Sequence, residues 1–205
     1  MTKIKLCGLS RPCDIEAVNA LLPDYIGFVF AKKSKRYVAP EKAKGLREAL
    51  NPAIKAVGVF VREAPEVIAN LLSEGIIDLA QLHGGEDEAY IARLRALTDR
   101  PLIQAFRIEA PADLDRARAS FADYILLDNG AGGTGAAFDW SLLVGFDRPY
   151  FLAGGLGPEN VAGAVATLHP YAVDVSSGIE TDGYKDISKM KAFVMAARAA
   201  DGKGE

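Results

Sequence analysis

Little in this chain would tie it to a metal, a membrane or a nucleic acid. Two cysteines and two histidines stand among 205 residues. Cys7 and Cys13 are six residues apart with no matching His or Cys pair, which fits neither a zinc site nor a disulfide framework. The N-terminal MTKIKLCGLS lacks the apolar core of a signal peptide, and no run approaches the roughly 20 residues that span a bilayer. A cytoplasmic protein with no membrane partner is expected. The net charge is −3 with both signs interspersed, and no basic block or aromatic-interleaved basic patch speaks for nucleic acid. Small anionic ligands need only local positive sites and are not excluded. Linkers and low-complexity stretches are also missing, so one domain over 1–200 with a frayed polar tail at 201–205 is expected.

What the chain has in quantity is regular alternation. Apolar, β-branched runs recur at Lys3–Leu6, Asp24–Phe30, Ile54–Phe60, Ile76–Leu82, Pro101–Phe106, Asp123–Leu127, Tyr150–Ala153 and Tyr171–Val175. Between and after them lie helical segments: Pro12–Leu22, Pro40–Leu50, Pro65–Leu72, Asp87–Leu97, Pro111–Ala119, Asp139–Val144, Pro158–Leu168 and Ile187–Ala200. Several carry proline in the first turn, where its missing N–H costs nothing. Leu46, Ala49 and Leu50, and Ile91, Leu94 and Leu97, show the spacing of a helix with one apolar face. Eight βα units of about 25 residues each give an α/β fold, a single (β/α)8 TIM barrel near its lower size limit. A doubly wound open sheet is the alternative, but it usually has fewer strands in this length.

The stretch Ala122–Gly135, ADYILLDNGAGGTG, delivers an acid, Asp128, to the end of an apolar run and follows it with four glycines. Gly130-x-Gly132-x-x-Gly135 matches the dinucleotide fingerprint literally, but it lies past mid-chain and offers only a short helix afterwards. A flexible loop is a simpler reading, yet it leaves the acid at the strand terminus unexplained. In a barrel the chemistry sits at the C-terminal ends of the strands. Those ends carry Cys7-Gly8, Arg36 in the loop after Phe30, His83-Gly84, Asp128, Gly154-Gly155 and Ser177-Gly178. The loops after strands seven and eight commonly hold phosphate in such barrels. If they do so here, Gly154, Gly155, Ser177 and Gly178 are the phosphate-binding candidates; otherwise these glycines only close tight turns.

Strand parity puts Lys3, Lys5 and Cys7 on one face, and Tyr124, Leu126 and Asp128 on another. With Ile4 and Leu6 packed on helices, Cys7 and Asp128 face each other across the mouth as a base and an acid, which is what proton relocation requires. That chemistry calls for no metal and no cofactor. The alternatives are an inert buried thiol for Cys7 and a turn-capping carboxylate for Asp128. An interior Lys5 needs a partner, and Asp174 on the adjacent eighth strand is the expected one; the lysine would also favour the Cys7 thiolate. Arg36 sits among cations, in a loop that is either solvated surface or reaches inward to grip a carboxylate with two parallel hydrogen bonds. His83 has three open readings: a substrate contact, a second acid or base, or a structural group. His169 is expected to be structural, and Cys13 to be small-residue packing in the first helix.

Taken together, these residues resemble the phosphoribosylanthranilate isomerases of tryptophan biosynthesis. The resemblance rests on Lys3–Gly8 (KIKLCG), Gly27–Phe30 with Ser34–Val38, Gly58–Phe60, Gln81–Gly84, Leu127–Asn129 with Gly133–Gly135, Ala153–Leu156 and Asp174–Glu180, in family order over nearly the whole chain. It implies a monomeric or homodimeric barrel acting on a small phosphosugar–anthranilate substrate by an Amadori rearrangement. The position of Asp128 implies the acid that opens the sugar ring, and that of Cys7 the base that removes the C2 proton. Arg36 is implied to hold the anthranilate carboxylate, Asp174 to lie near the sugar hydroxyls, and the glycine turns to hold phosphate. Leu6 replaces the usual isoleucine, and Lys35 stands where many members have proline. Another phosphosugar barrel enzyme, such as an epimerase or synthase, or a non-catalytic phosphosugar-binding barrel, is the alternative function.

Overall fold

The computed structural model describes residues 1–128, 140–143 and 145–201. Eight parallel strands, β1 (Lys3–Cys7), β2 (Tyr25–Val29), β3 (Lys55–Phe60), β4 (Leu79–Leu82), β5 (Leu102–Arg107), β6 (Tyr124–Asp128), β7 (Tyr150–Leu152) and β8 (Ala172–Val175), pair in chain order. The last closes on the first to form a TIM barrel. Around it run α1 (Pro12–Leu21), α2 (Pro40–Glu48), α3 (Pro65–Ser73), α4 (Glu88–Arg95), α5 (Pro111–Ala119), α6 (Val161–Leu168) and α7 (Ile187–Asp201).

Local sequence explains most of these boundaries. α1, α2, α3 and α5 each begin with a proline in the first turn. Asp14 and Asp113, three residues past their N-caps, accept backbone bonds at 2.9–3.0 Å from the residues that precede their helices. Pro158 does not open α6: Asn160 accepts from the Gly157 N–H at 2.9 Å, holding a turn that delays the helix to Val161. The sixth unit has a 3-10 turn, Trp140–Leu143, in place of the expected α-helix. Asp139, Val144 and the Gly130–Gly135 glycines lie outside the described residues, as do positions 202–205 of the expected tail. Asp201 belongs to α7 and accepts from the Thr2 N–H at 2.8 Å. Ala49 and Leu97 are exposed rather than core, because both fall beyond the last helical turn. Cys13 is exposed as well, so it is not packing.

The two faces of each strand do different things. Ile4, Leu6, Ile26, Phe28 and Phe60 pack outward against the helices. Inside the barrel, Tyr25, Val57, Leu79, Ile103, Leu126 and Phe151 fill one apolar layer. At the lower rim a single device recurs: Asp24, Asp78 and Asp123 accept amides within the first two residues of the preceding strands, from Ile4, Ala56 and Leu102, at 2.7–2.9 Å. Each is also paired with a cation, from Lys3, Arg47 and Arg95 respectively. The carboxylates thus satisfy amides that no neighbouring strand reaches.

Phe151 anchors the apolar layer, with ring centroids 5.4 to 5.8 Å from Tyr25, Tyr124 and Tyr171. Phe151→Ala is expected to cost about 3–5 kcal/mol of stability, read from the urea midpoint. A loss under about 1 kcal/mol would mean that this layer contributes little to the core.

Candidate active site

Above the apolar layer the barrel interior turns polar. Lys5 has no exposed surface, and its ammonium donates to Asp174 Oδ2 and to Gln81 Oε1, both at 2.9 Å. The parallel register sets Lys5 against Asp174, so the expected pairing of β1 with β8 holds. Burial alone would pull the Lys5 ammonium down, but the Asp174 carboxylate and the Cys7 sulfur outweigh it and hold its pKa above the ordinary value. Asp174 Oδ1 is buried with no hydrogen-bond partner among the described residues, leaving one carboxylate oxygen able to accept from a ligand.

One pleat higher, Cys7 ends β1 with its side chain toward the same cavity. Lys5 favours the Cys7 thiolate, as expected, but burial acts against it. Burial pushes its pKa up, and the Lys5 and Lys185 ammonium groups offset only part of that rise. Burial thus favours the thiol over the thiolate. Asp128 ends β6 and lines the cavity too, with His83 Nε2 at 3.7 Å from its Oδ2. The two groups that strand parity aimed at one space do share it.

Arg36 reaches inward past Gly8, whose φ of +82° and missing Cβ leave room for the arginine stem. Lys32, Lys33 and Lys35 stay in solvent. The two parallel hydrogen bonds expected for Arg36 are present, but with Glu180, at 2.6 and 2.7 Å through Nε and Nη2. That pairing raises the Arg36 pKa. Glu180 also accepts from Lys185 at 2.6 Å, and the two cations outweigh burial to hold its carboxyl below the usual range. Lys185 in turn donates to the Ser176 carbonyl at 2.8 Å, and Ser176 Oγ donates to the Cys7 carbonyl at 3.2 Å. A two-stranded hairpin, β9 (Glu180–Thr181) and β10 (Tyr184–Lys185), is strapped in this way to the top of β1.

The loops after β7 and β8 meet at the same mouth. Gly154 and Gly155 both have left-handed backbone, at φ +83° and +67°. Gly178 lies so close under the Leu156 carbonyl that any Cβ there would force the two turns apart. Gly154, Gly155 and Ser177 line a cavity of about 300 Å3 together with Cys7, Arg36, His83, Asp128 and Asp174. Gly178 is not on its wall but sets how closely the turns approach. Sequence reasoning missed Gln81, Glu180 and Lys185 as site groups. Gln81 shares inward parity with His83 and was open to the same argument; Glu180 and Lys185 follow the last barrel strand, in a hairpin too short for periodicity to point inward.

A family model described as N-(5'phosphoribosyl)anthranilate (PRA) isomerase matches residues 4–196. The chain is 46% identical over 203 residues to N-(5'-phosphoribosyl)anthranilate isomerase of Endomicrobium trichonymphae, covering 97% of this chain and 100% of that protein. The crystal structure of phosphoribosyl anthranilate isomerase from Thermus thermophilus superposes with a TM-score of 0.85 at 36% identity, over 97% of this chain and 99% of that one. A phosphoribosyl anthranilate isomerase in complex with reduced 1-(o-carboxyphenylamino)-1-deoxyribulose 5-phosphate gives a TM-score of 0.84 at 35% identity, over 97% of this chain and 100% of that one.

Two outcomes follow from the electrostatics. Alkylation of Cys7, followed by mass spectrometry against pH, is expected to keep climbing above the pH at which a free model thiol levels off, and Lys5→Met should move that curve higher still. Superposition on the model thiol would show that the cations offset burial fully. Lys5→Met should also cost about 3–5 kcal/mol, since it strands a buried carboxylate, and adding Asp174→Asn should recover part of the loss.

Proposed function

The chain belongs to the N-(5'-phosphoribosyl)anthranilate isomerase family, and we propose that Cys7 and Asp128 are the proton-transfer pair with which it performs the family's Amadori rearrangement. The reaction converts N-(5-phosphoribosyl)anthranilate to 1-(2-carboxyphenylamino)-1-deoxyribulose 5-phosphate in tryptophan biosynthesis. The observation that carries the residue assignment is the single cavity of about 300 Å3 lined by both Cys7 and Asp128, with the glycine turns at its rim.

In this reading Asp128 gives its proton to the furanose ring oxygen as the C1–O bond breaks. The anilino nitrogen lone pair forms the C=N bond of a Schiff base. The Cys7 thiolate then removes the C2 proton, and the electron pair returns toward nitrogen to give an enolamine, which tautomerises to the ketone. One proton enters and one leaves, so no redox partner is required. The raised Cys7 pKa means that only a small thiolate fraction exists at neutral pH. That fraction combines a strong base with a sulfur already stripped of water.

Substrate charge supports the remaining assignments. Arg36 meets Glu180 through Nε and Nη2, which leaves its outer edge, with Nη1, for the anthranilate carboxylate. Glu180 is shared by Arg36 and Lys185, so the cluster keeps one net positive charge toward an anionic ligand. The bare Asp174 Oδ1 suits a sugar hydroxyl, and Oδ2 stays with Lys5, so the two expected roles of Asp174 coexist. Backbone N–H groups at Gly154, Gly155, Ser177 and Gly178 suit the phosphate. A monomer or a homodimer is our reading of its assembly. No helix among the described residues is long and apolar enough to cross a membrane, and a cytoplasmic enzyme is our reading of its location.

The test is turnover of phosphoribosylanthranilate followed by loss of its fluorescence. Cys7→Ala and Asp128→Asn should each remove nearly all turnover, with product-analogue binding retained. Either variant keeping more than about a tenth of wild-type kcat would sink the assignment, because one general acid or base contributes about 10²–10⁴-fold.

A further inference from the structure

A continuous line of polar side chains crosses the cavity floor. Asp174 Oδ2 and Gln81 Oε1 both accept from Lys5 Nζ; Gln81 Nε2 lies 2.9 Å from His83 Nδ1; His83 Nε2 lies 3.7 Å from Asp128 Oδ2. Lys5 and Gln81 are at most 1% exposed, so water does not substitute for these contacts.

Donor and acceptor rules leave one arrangement for this line. An ammonium has three protons and no lone pair, so the Gln81 atom against it must be the amide oxygen. The amide nitrogen then faces the imidazole, and having only protons to offer, it requires a lone pair on Nδ1. The single proton of the neutral ring is thereby on Nε2, the atom directed at Asp128. A doubly protonated ring would set N–H against NH2 at 2.9 Å.

We propose that Lys5 and Gln81 form a tautomer lock that holds His83 as a neutral imidazole with its Nε2–H aimed at the Asp128 carboxyl. The role of the lock rests on the reading of Asp128 as the ring-opening acid. An imidazolium in that place would hold Asp128 ionised and deprive it of the proton it must deliver, since a cation at this range lowers a carboxyl pKa by about 1–3 units. A neutral N–H brings no such positive charge, and it can donate to the carboxylate that forms as the proton leaves for the ring oxygen. No proton moves through His83, Gln81 or Lys5. Lys5 and Gln81 are positioning residues, acting on the acid through the histidine.

The experiment is nitrogen NMR on the protein labelled in its two histidines, with His83→Asn assigning the signals. At neutral pH the wild type is expected to show Nδ1 of His83 unprotonated and Nε2 protonated. Gln81→Glu keeps a partner for Lys5 but accepts from the ring instead of donating to it. The proton should move to Nδ1, or both nitrogens should carry one, with kcat falling about tenfold, the value of one hydrogen bond, and KM within about twofold. A wild-type ring protonated on Nδ1 overturns the lock, and so does a Gln81→Glu variant that changes tautomer and keeps full kcat. The wild-type spectrum needs no variant, so misfolding of Gln81→Glu leaves the proposal open to refutation. Asp128→Asn with normal turnover would overturn the acid assignment instead and leave the tautomer measurement unchanged.

Discussion

A lysine ammonium sealed inside the barrel is the constraint around which the upper half of this protein is arranged. Burying a charge costs far more than one hydrogen bond returns, so Lys5 must meet acceptors on several sides. Asp174 from β8 and Gln81 from β4 meet it, at sequence separations of 169 and 76 residues. These contacts tie strands on opposite sides of the barrel to one point. Each partner then has one more polar atom to spend: the second oxygen of Asp174 faces the cavity, and the nitrogen of Gln81 faces His83.

The barrel divides its work by height. Toward the lower rim, apolar and aromatic side chains fill the interior, and three aspartates clamp the strand starts. Those features favour stability, and of the apolar cluster only its uppermost member, Ala153, reaches the cavity wall. Toward the upper rim the interior carries a thiol, an ion pair, an amide and a carboxyl, which pack less apolar surface and hold charges at a desolvation cost. Stability supplied below permits that arrangement above, in line with the general division between the two ends of such barrels.

A second tie runs around the rim. The hairpin after β8 brings Glu180 and Lys185 over the top of β1, where Lys185 bonds to Ser176, Ser176 to the Cys7 carbonyl, and Glu180 to Arg36. The thiol, the arginine and the glycine turn at Gly178 are consequently held by one short segment. Arg36 belongs to a loop whose other cations are solvated, and its inward course depends on Glu180 waiting 144 residues away.

The repeat of strand and helix, and the inward parity of Lys5, Cys7, Tyr124 and Asp128, were legible in the sequence because both follow from the local periods of two and 3.6 residues. The Lys5–Asp174 pairing was legible for the same reason, once eight strands implied that the last neighbours the first, and the motifs were legible separately, as a resemblance to a known family. Parity also reached Gln81, although nothing in its one-letter code told it apart from a filler side chain. The tertiary structure alone decided the rest. Whether Cys7 rests as a thiol depends on burial set against two cations, Lys5 and Lys185, from separate segments. The partner of Arg36 and the orientation of the Gln81 amide against Lys5 depend on contacts between residues distant in sequence. A local pattern fixes which way a side chain points; only closure of the barrel fixes what it meets there.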